Sequence, residues 1–302
     1  MRVVLVCDES SAKGRADKTE RRPGEVGVLA GLILLEEQTD AFRRALEPLV
    51  RPYHTTGAKL HMASVPEDKR DTLRDDVFEL IKAHNVACLY EAIHVEGFHA
   101  MHQTMDNLVQ RIREGQPEHI VRLTRDEDPA LLHGQLFQGL YGKALVYCRE
   151  NGWENVDLKV LVDRVDESIL RLFREKAKEI LDFEPKRSTT EFFDRLGHQR
   201  HSQTVTSVVP EAESLFGYLR PASTTIDPSD DSIVFAADVL ANGVAYHFSR
   251  RTGDQIGQPL DSRAAIAGHP LEALIGCVTE PGGYSFVDTV LRHPTSLPEE
   301  HE

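Results

Sequence analysis

Apolar residues along this chain follow two rhythms, and each predicts a different element. Val3-Val4-Leu5-Val6-Cys7 and the stretch Val26 to Leu35 are nearly continuous apolar runs, as expected of strands buried on both faces. The polar stretch Ser11 to Glu25 between them reads as a long hairpin loop. Val86 to Val95, Leu158 to Val162 and the shorter Thr204 to Val209 are further strand candidates.

Elsewhere apolar positions recur three and four apart, which predicts helices. One covers Thr39 to Leu49, with Phe42, Leu46 and Leu49 on one side and Pro52 as its stop. Pro66 opens another that runs to Ala83 and buries Leu73, Val77, Leu80 and Ile81. Phe98 to Arg113, Leu131 to Arg149 and Glu167 to Leu181 show the same spacing. A last helix, capped by Asp231 or Ser232, carries the apolar run Ile233 to Ala241. The order of elements is that of an α/β protein, without internal repeats.

Three acids break this pattern. Asp8 and Asp163 each end an apolar strand, and Asp238 sits inside the last helix with Val234, Phe235, Ala241 and Ala245 at its helical neighbours, which leaves it no ordinary solvent face. An ionised carboxylate taken out of water costs several kcal/mol unless hydrogen bonds, a counter-charge or a metal compensates it. In open α/β sheets the residues just past the strand C-termini converge on the ligand crevice. Asp8 and Asp163 therefore meet if their strands are parallel neighbours, and the late helix then lays Asp238 beside them.

Three carboxylates in one place repel, and hard cations with oxygen ligands, Mg²⁺ or Mn²⁺, relieve the repulsion. Two such ions about 4 Å apart suit phosphodiester hydrolysis. The plainer reading stays open for each strand-end acid, because Asp8 and Asp163 also serve as strand terminators and Asp8-Glu9-Ser10 is acceptable turn chemistry. Glu9 faces away from Asp8 by the strand period and is a second-rank candidate for assisting catalysis. His61 is a candidate metal ligand or phosphate contact, and Lys59 a phosphate contact.

His94, His99 and His102 lack a zinc-type spacing and read as surface histidines. Gly-x-Ser-x-Gly, the Gly-x-x-x-x-Gly-Lys-Ser/Thr phosphate loop and Gly-x-Gly-x-x-Gly are all absent, which disfavours a serine hydrolase of that type, a P-loop NTPase and a Rossmann dehydrogenase.

Charge narrows the partners. With 35 Lys and Arg against 49 Asp and Glu, the 302 residues carry a formal net charge of −14, so any contact with nucleic acid is local. The first loop is the basic exception, with Lys13, Arg15, Lys18, Arg21 and Arg22 against Asp17, Glu20 and Glu25. It is either an ordinary solvated loop or a guide for a phosphate backbone, with Arg15 and Arg22 as substrate contacts. Cys7, Cys88, Cys148 and Cys277 are far apart and form no Cys-x-x-Cys pair, which fits a reducing compartment. Without a basic leader or an apolar run of bilayer-spanning length, the expected location is the cytoplasm, away from membranes.

Four segments taken in order, Val4 to Ser10, Lys59-Leu60-His61-Met62-Ala63, Leu161-Val162-Asp163 and Phe235 to Ala241, resemble the prokaryotic family catalogued as domain of unknown function 3800. The likeness runs from near residue 2 to about residue 250. Ser11 stands where that family usually has glycine, and Ala58-Lys59 where it often has an acid. The resemblance implies a ribonuclease H-like fold, with a mixed central sheet flanked by helices. On that basis residues 1–293 form one such domain with a helical insertion around 98–151, and 294–302 are a polar tail. It also implies that Asp8, Asp163 and Asp238 bind the metal. The expected function is a metal-dependent nuclease acting on RNA or DNA. The alternative is a catalytically weak or inactive scaffold that binds a protein partner in a bacterial assembly, for example in phage defence.

Overall fold

The computed structural model describes residues 1–11, 19–53, 60–115, 131–163, 166–181, 186–193, 199–206, 221–275, 288 and 291–296. The first apolar run forms β1 (Arg2–Ser11) and the second β2 (Val26–Leu35), paired antiparallel as the hairpin reading requires. Next come α1 (Glu36–Val50), α2 (Glu67–Ala83), β3 (Ala87–His94), α3 (Val95–Gly115) and α4 (Leu131–Glu150). The chain continues with β4 (Asp157–Val162), α5 (Glu167–Leu181), β5 (Lys186–Phe193), β6 (Gln199–Thr206), β7 (Ser223–Pro228) and α6 (Ser232–Ser249). Five strands make one mixed sheet in the order β3-β2-β1-β4-β7, while β5 and β6 pair by themselves. β4 runs parallel to β1, and β7 parallel to β4. The protein is thus α/β, with helices on both faces of its main sheet.

Alternation along β1 sorts the core into two layers. Val4 and Val6 join a cluster with β2, α1, α2 and α6, whereas Val3, Leu5 and Cys7 face α4 and α5. In the second layer Phe137 of α4 stacks on Phe173 of α5 at 4.3 Å.

The departures from the expected elements have local causes. α1 begins at Glu36, directly after β2, without the polar break that marks a helix start. Gln38 Oε1 accepts from Leu35 N at 3.2 Å, and Glu36 and Glu37 occupy the positive end of the helix. β7 escapes the hydrophobic pattern because it is an edge strand, Ser-Thr-Thr-Ile-Asp-Pro, in which Ile226 alone is buried. The predicted strand Thr204 to Val209 overlaps β6 up to Thr206, and 207–209 lie outside the described residues.

A buried ionic cluster ties α4 to the sheet. Lys143 Nζ donates to Tyr90 O and Asp261 Oδ1, both at 2.7 Å, and lies 2.9 Å from Glu91 Oε2. Asp288 accepts from the backbone N–H groups of Leu260 and Asp261 at 2.9 Å. α4 can approach this closely because it carries Gly139, where a Cβ would lie 2.4 Å from Glu91 Cδ.

One cation faces several acids here, and burial pushes the Glu91 carboxyl up to about 7 from its ordinary 4.5, against the opposing pull of Lys143. A raised carboxyl pKa favours the folded state while the group is protonated, and that contribution is lost as pH climbs through the folded value. Wild type should therefore lose stability relative to Glu91→Gln between about pH 4.5 and 7. Urea denaturation of both proteins across that range checks this, and a constant difference would contradict it.

Candidate functional site

Cys7 pairs with Val162 in the parallel β1–β4 register, so the residues that follow, Asp8 and Asp163, come side by side where β4 ends. This is the convergence expected of parallel neighbours. Asp8 does not end its own strand as expected, because β1 stays paired with β2 as far as Ser11. Asp231 caps α6 by accepting from Ile233 N at 3.1 Å, and the helix that follows packs on β1 and β2. It brings Asp238 to the same end of the sheet.

His61 joins the three acids. It precedes a short turn, Met62–Ser64, and Ser64 Oγ both accepts from His61 N at 3.1 Å and donates to His61 O at 2.6 Å. Arg70 adds donors to Ala63 O and Val65 O at 2.8 and 2.9 Å. Asp238 Oδ2 accepts from Met62 N at 2.7 Å, which gives the helix-buried carboxylate a hydrogen-bond partner. His61 Nδ1 then lies 3.8 Å from Asp163 Oδ2 and 3.8 Å from Asp238 Oδ2. Single ligand-type atoms of Asp8, His61 and Asp163 all fall within 4.8 Å of one another. The Asp163 and Asp238 side chains are 12 % and 13 % exposed against 43 % for His61, so the acids form the floor and the imidazole the mouth.

These residues line a cleft of about 440 Å³, whose lining also includes Leu29, Ile169 and Phe173. Carboxylate oxygens at this spacing, with one imidazole at the rim, form a donor set that could hold a divalent cation. Cys7 also borders the cleft, but burial and the neighbouring Asp8 charge push its thiol well up, so it stays neutral and is a poor nucleophile.

The other sequence candidates have separate places. Glu9 lines the same cleft from the α4 face of β1, opposite to Asp8 as the strand period requires, and its Oε2 meets His133 Nδ1. Arg22 is exposed in the turn before β2 and is not part of the cleft wall, while Lys59 and Arg15 lie outside the described residues. The surface reading of His94 is corrected. It ends β3 at 3 % exposure, 5.4 Å from the His293 ring, and burial pushes its pKa down to about 3.

His133 and Asp166 also line the cleft and were not singled out from the sequence. His133 carried a signal of the kind that exposed Asp238: a polar residue in the apolar stretch Leu131-Leu132-His133-Gly134.

Neither the protein-family models nor the curated proteins contain a match to this chain. Among the described residues, no helix is long and apolar enough to cross a membrane. Mn²⁺ at a hundred times its dissociation constant should stabilise the protein by about 2.7 kcal/mol if it binds the folded state alone. Thermal melts with Mn²⁺ and with EDTA measure this, and superimposable curves would count against metal binding.

Proposed function

We propose that the protein is a metal-dependent phosphodiesterase acting on nucleic acid, on a ribonuclease H-like scaffold. One observation carries this reading: Asp8, Asp163 and Asp238, distant in sequence, gather around His61 at the C-terminal end of two parallel strands. The mixed five-strand sheet with helices on both faces supports the scaffold part.

Asp8, inside β1, Asp163, just past the end of β4, and Asp238, fixed by Met62 N, are the residues that would hold Mg²⁺ or Mn²⁺. Such ions, when bound, polarise the phosphoryl oxygen and lower the pKa of water. His61, the most exposed of the four, would contact the metal or a phosphate oxygen. Leu29, Ile169 and Phe173 add apolar surface to the lining of the same cleft. The formal net charge of −14 disfavours a broad contact with nucleic acid, so the contact in this reading is local.

The test is incubation of the purified protein with labelled single-stranded and duplex RNA and DNA in Mg²⁺, Mn²⁺ or EDTA. Cleavage that needs metal and disappears in Asp238→Asn supports the reading. Failure to cut any of these polymers, with stoichiometric co-purification of a protein partner, would replace it with the scaffold role. Turnover of mononucleotides alone would redirect it to small substrates.

A further inference from the structure

We propose that His133, oriented by Glu9, is the general base that takes the proton of the attacking water. This rests on the phosphodiesterase reading and adds a residue to it.

Alternation along β1 separates two functions at one strand end. Asp8 follows Val4 and Val6 on the α6 face, towards His61, and Glu9 follows Leu5 and Cys7 on the α4 face. There Glu9 Oε2 meets His133 Nδ1, and both residues line the cleft that holds the three acids. The two side chains are 32 % and 16 % exposed, so this is a sheltered pair at the cleft wall and not a surface ion pair.

Two features make the pair a base. A carboxylate only accepts hydrogen bonds, so Glu9 selects the tautomer with hydrogen on Nδ1 and leaves the lone pair on Nε2. His133 Nε2 makes no hydrogen bond to any described residue, while the ring borders the cleft, so this lone pair is available to a water there. Glu9 then stabilises the imidazolium once the proton arrives, the role of the carboxylate in a Ser-His-Asp triad.

The proposed step balances without a further reactant. The O–H bond of water breaks and its proton passes to His133 Nε2 as the new O–P bond forms. The P–O bond to the leaving oxygen breaks and its electron pair stays on that oxygen. The leaving oxygen takes a proton from solvent water, and His133 returns its proton to solvent before the next turnover.

Two measurements test the dyad separately from the nuclease reading. In metal-free protein with ¹⁵N-labelled histidine, NMR should show His133 as the Nδ1–H tautomer with a downfield proton, and Glu9→Leu, which removes the acceptor, should lose that state. In the cleavage assay, His133→Ala should lower kcat by about 10²- to 10⁴-fold with KM little changed, and added imidazole should restore part of the loss. His133→Gln, closer in size, should show the same kcat defect if His133→Ala folds poorly. Wild-type cleavage with undiminished kcat in both variants, no rescue by imidazole, or an Nε2–H tautomer would overturn the dyad and leave the metal centre standing. Absence of wild-type cleavage would overturn the nuclease reading and the dyad's catalytic role together, and the NMR result would then describe a structural pair.

Discussion

Asp238→Asn should reduce metal-dependent cleavage by at least about a hundredfold without destabilising the metal-free fold. Asparagine keeps the volume and the oxygen that accepts from Met62 N, so the 2.7 Å hydrogen bond has a substitute. What it removes is one negative charge from a place where Asp163 and Asp238 both lie 3.8 Å from the same imidazole nitrogen. In EDTA that removal relieves repulsion, so the melting temperature should stay level or rise. In Mn²⁺ the sign reverses, because the variant forfeits the stabilisation that wild type gains from the ion. Rates and melts under both conditions decide it. A variant that cuts as fast as wild type, or melts lower in EDTA, would remove the electrostatic rationale for the site.

Lys143→Met should cost about 3–5 kcal/mol of folding stability, the range for breaking a buried ion pair by deleting one partner. Lys143 is the cation between Glu91 and Asp261, whose side chains are each 2 % exposed. Glu91 Oε1 and Asp261 Oδ2 are buried without hydrogen-bond partners among the described residues. Deleting the ammonium would leave Glu91 and Asp261 facing each other in a dry interior without a counter-charge, so that Glu91 must take up a proton to fold. A second change, Glu91→Leu, should recover part of the loss, since it removes one of the stranded acids. Urea denaturation of wild type, both single variants and the double variant measures this. A loss below about 1 kcal/mol for Lys143→Met, typical of an exposed pair, would show that the cluster is wet.

The helices and inner strands were legible because their burial is periodic. β1 and β2 are apolar on both faces, and α5 repeats its buried residues Leu170, Phe173 and Ala177 at helical spacing. β7 was not, because an edge strand that buries only Ile226 has almost no apolar signature. The candidate site shows the same division. Asp238 stood out by its apolar neighbours, and Asp8 and Asp163 by ending apolar runs.

Their approach depended on the parallel pairing of β1 with β4, which the strand pattern allowed without requiring. His61 took a central place because the Met62–Ser64 turn docks onto α6, a tertiary contact with no local trace. His133 lay in an apolar helix whose orientation depends on Glu91 meeting Gly139, again a long-range contact. Nothing near Lys143 in sequence names Glu91 or Asp261 as its partners, so the buried cluster has no local trace either.

Anomalous scattering from crystals soaked in Mn²⁺ is the most direct test of the metal centre. The account predicts a peak in the cleft within about 2.0–2.3 Å of Asp8 and Asp163 oxygens, with Asp238 or His61 completing the shell. Density confined to the protein surface, with the cleft holding only water at Mn²⁺ concentrations well above those that support any cleavage, would contradict it.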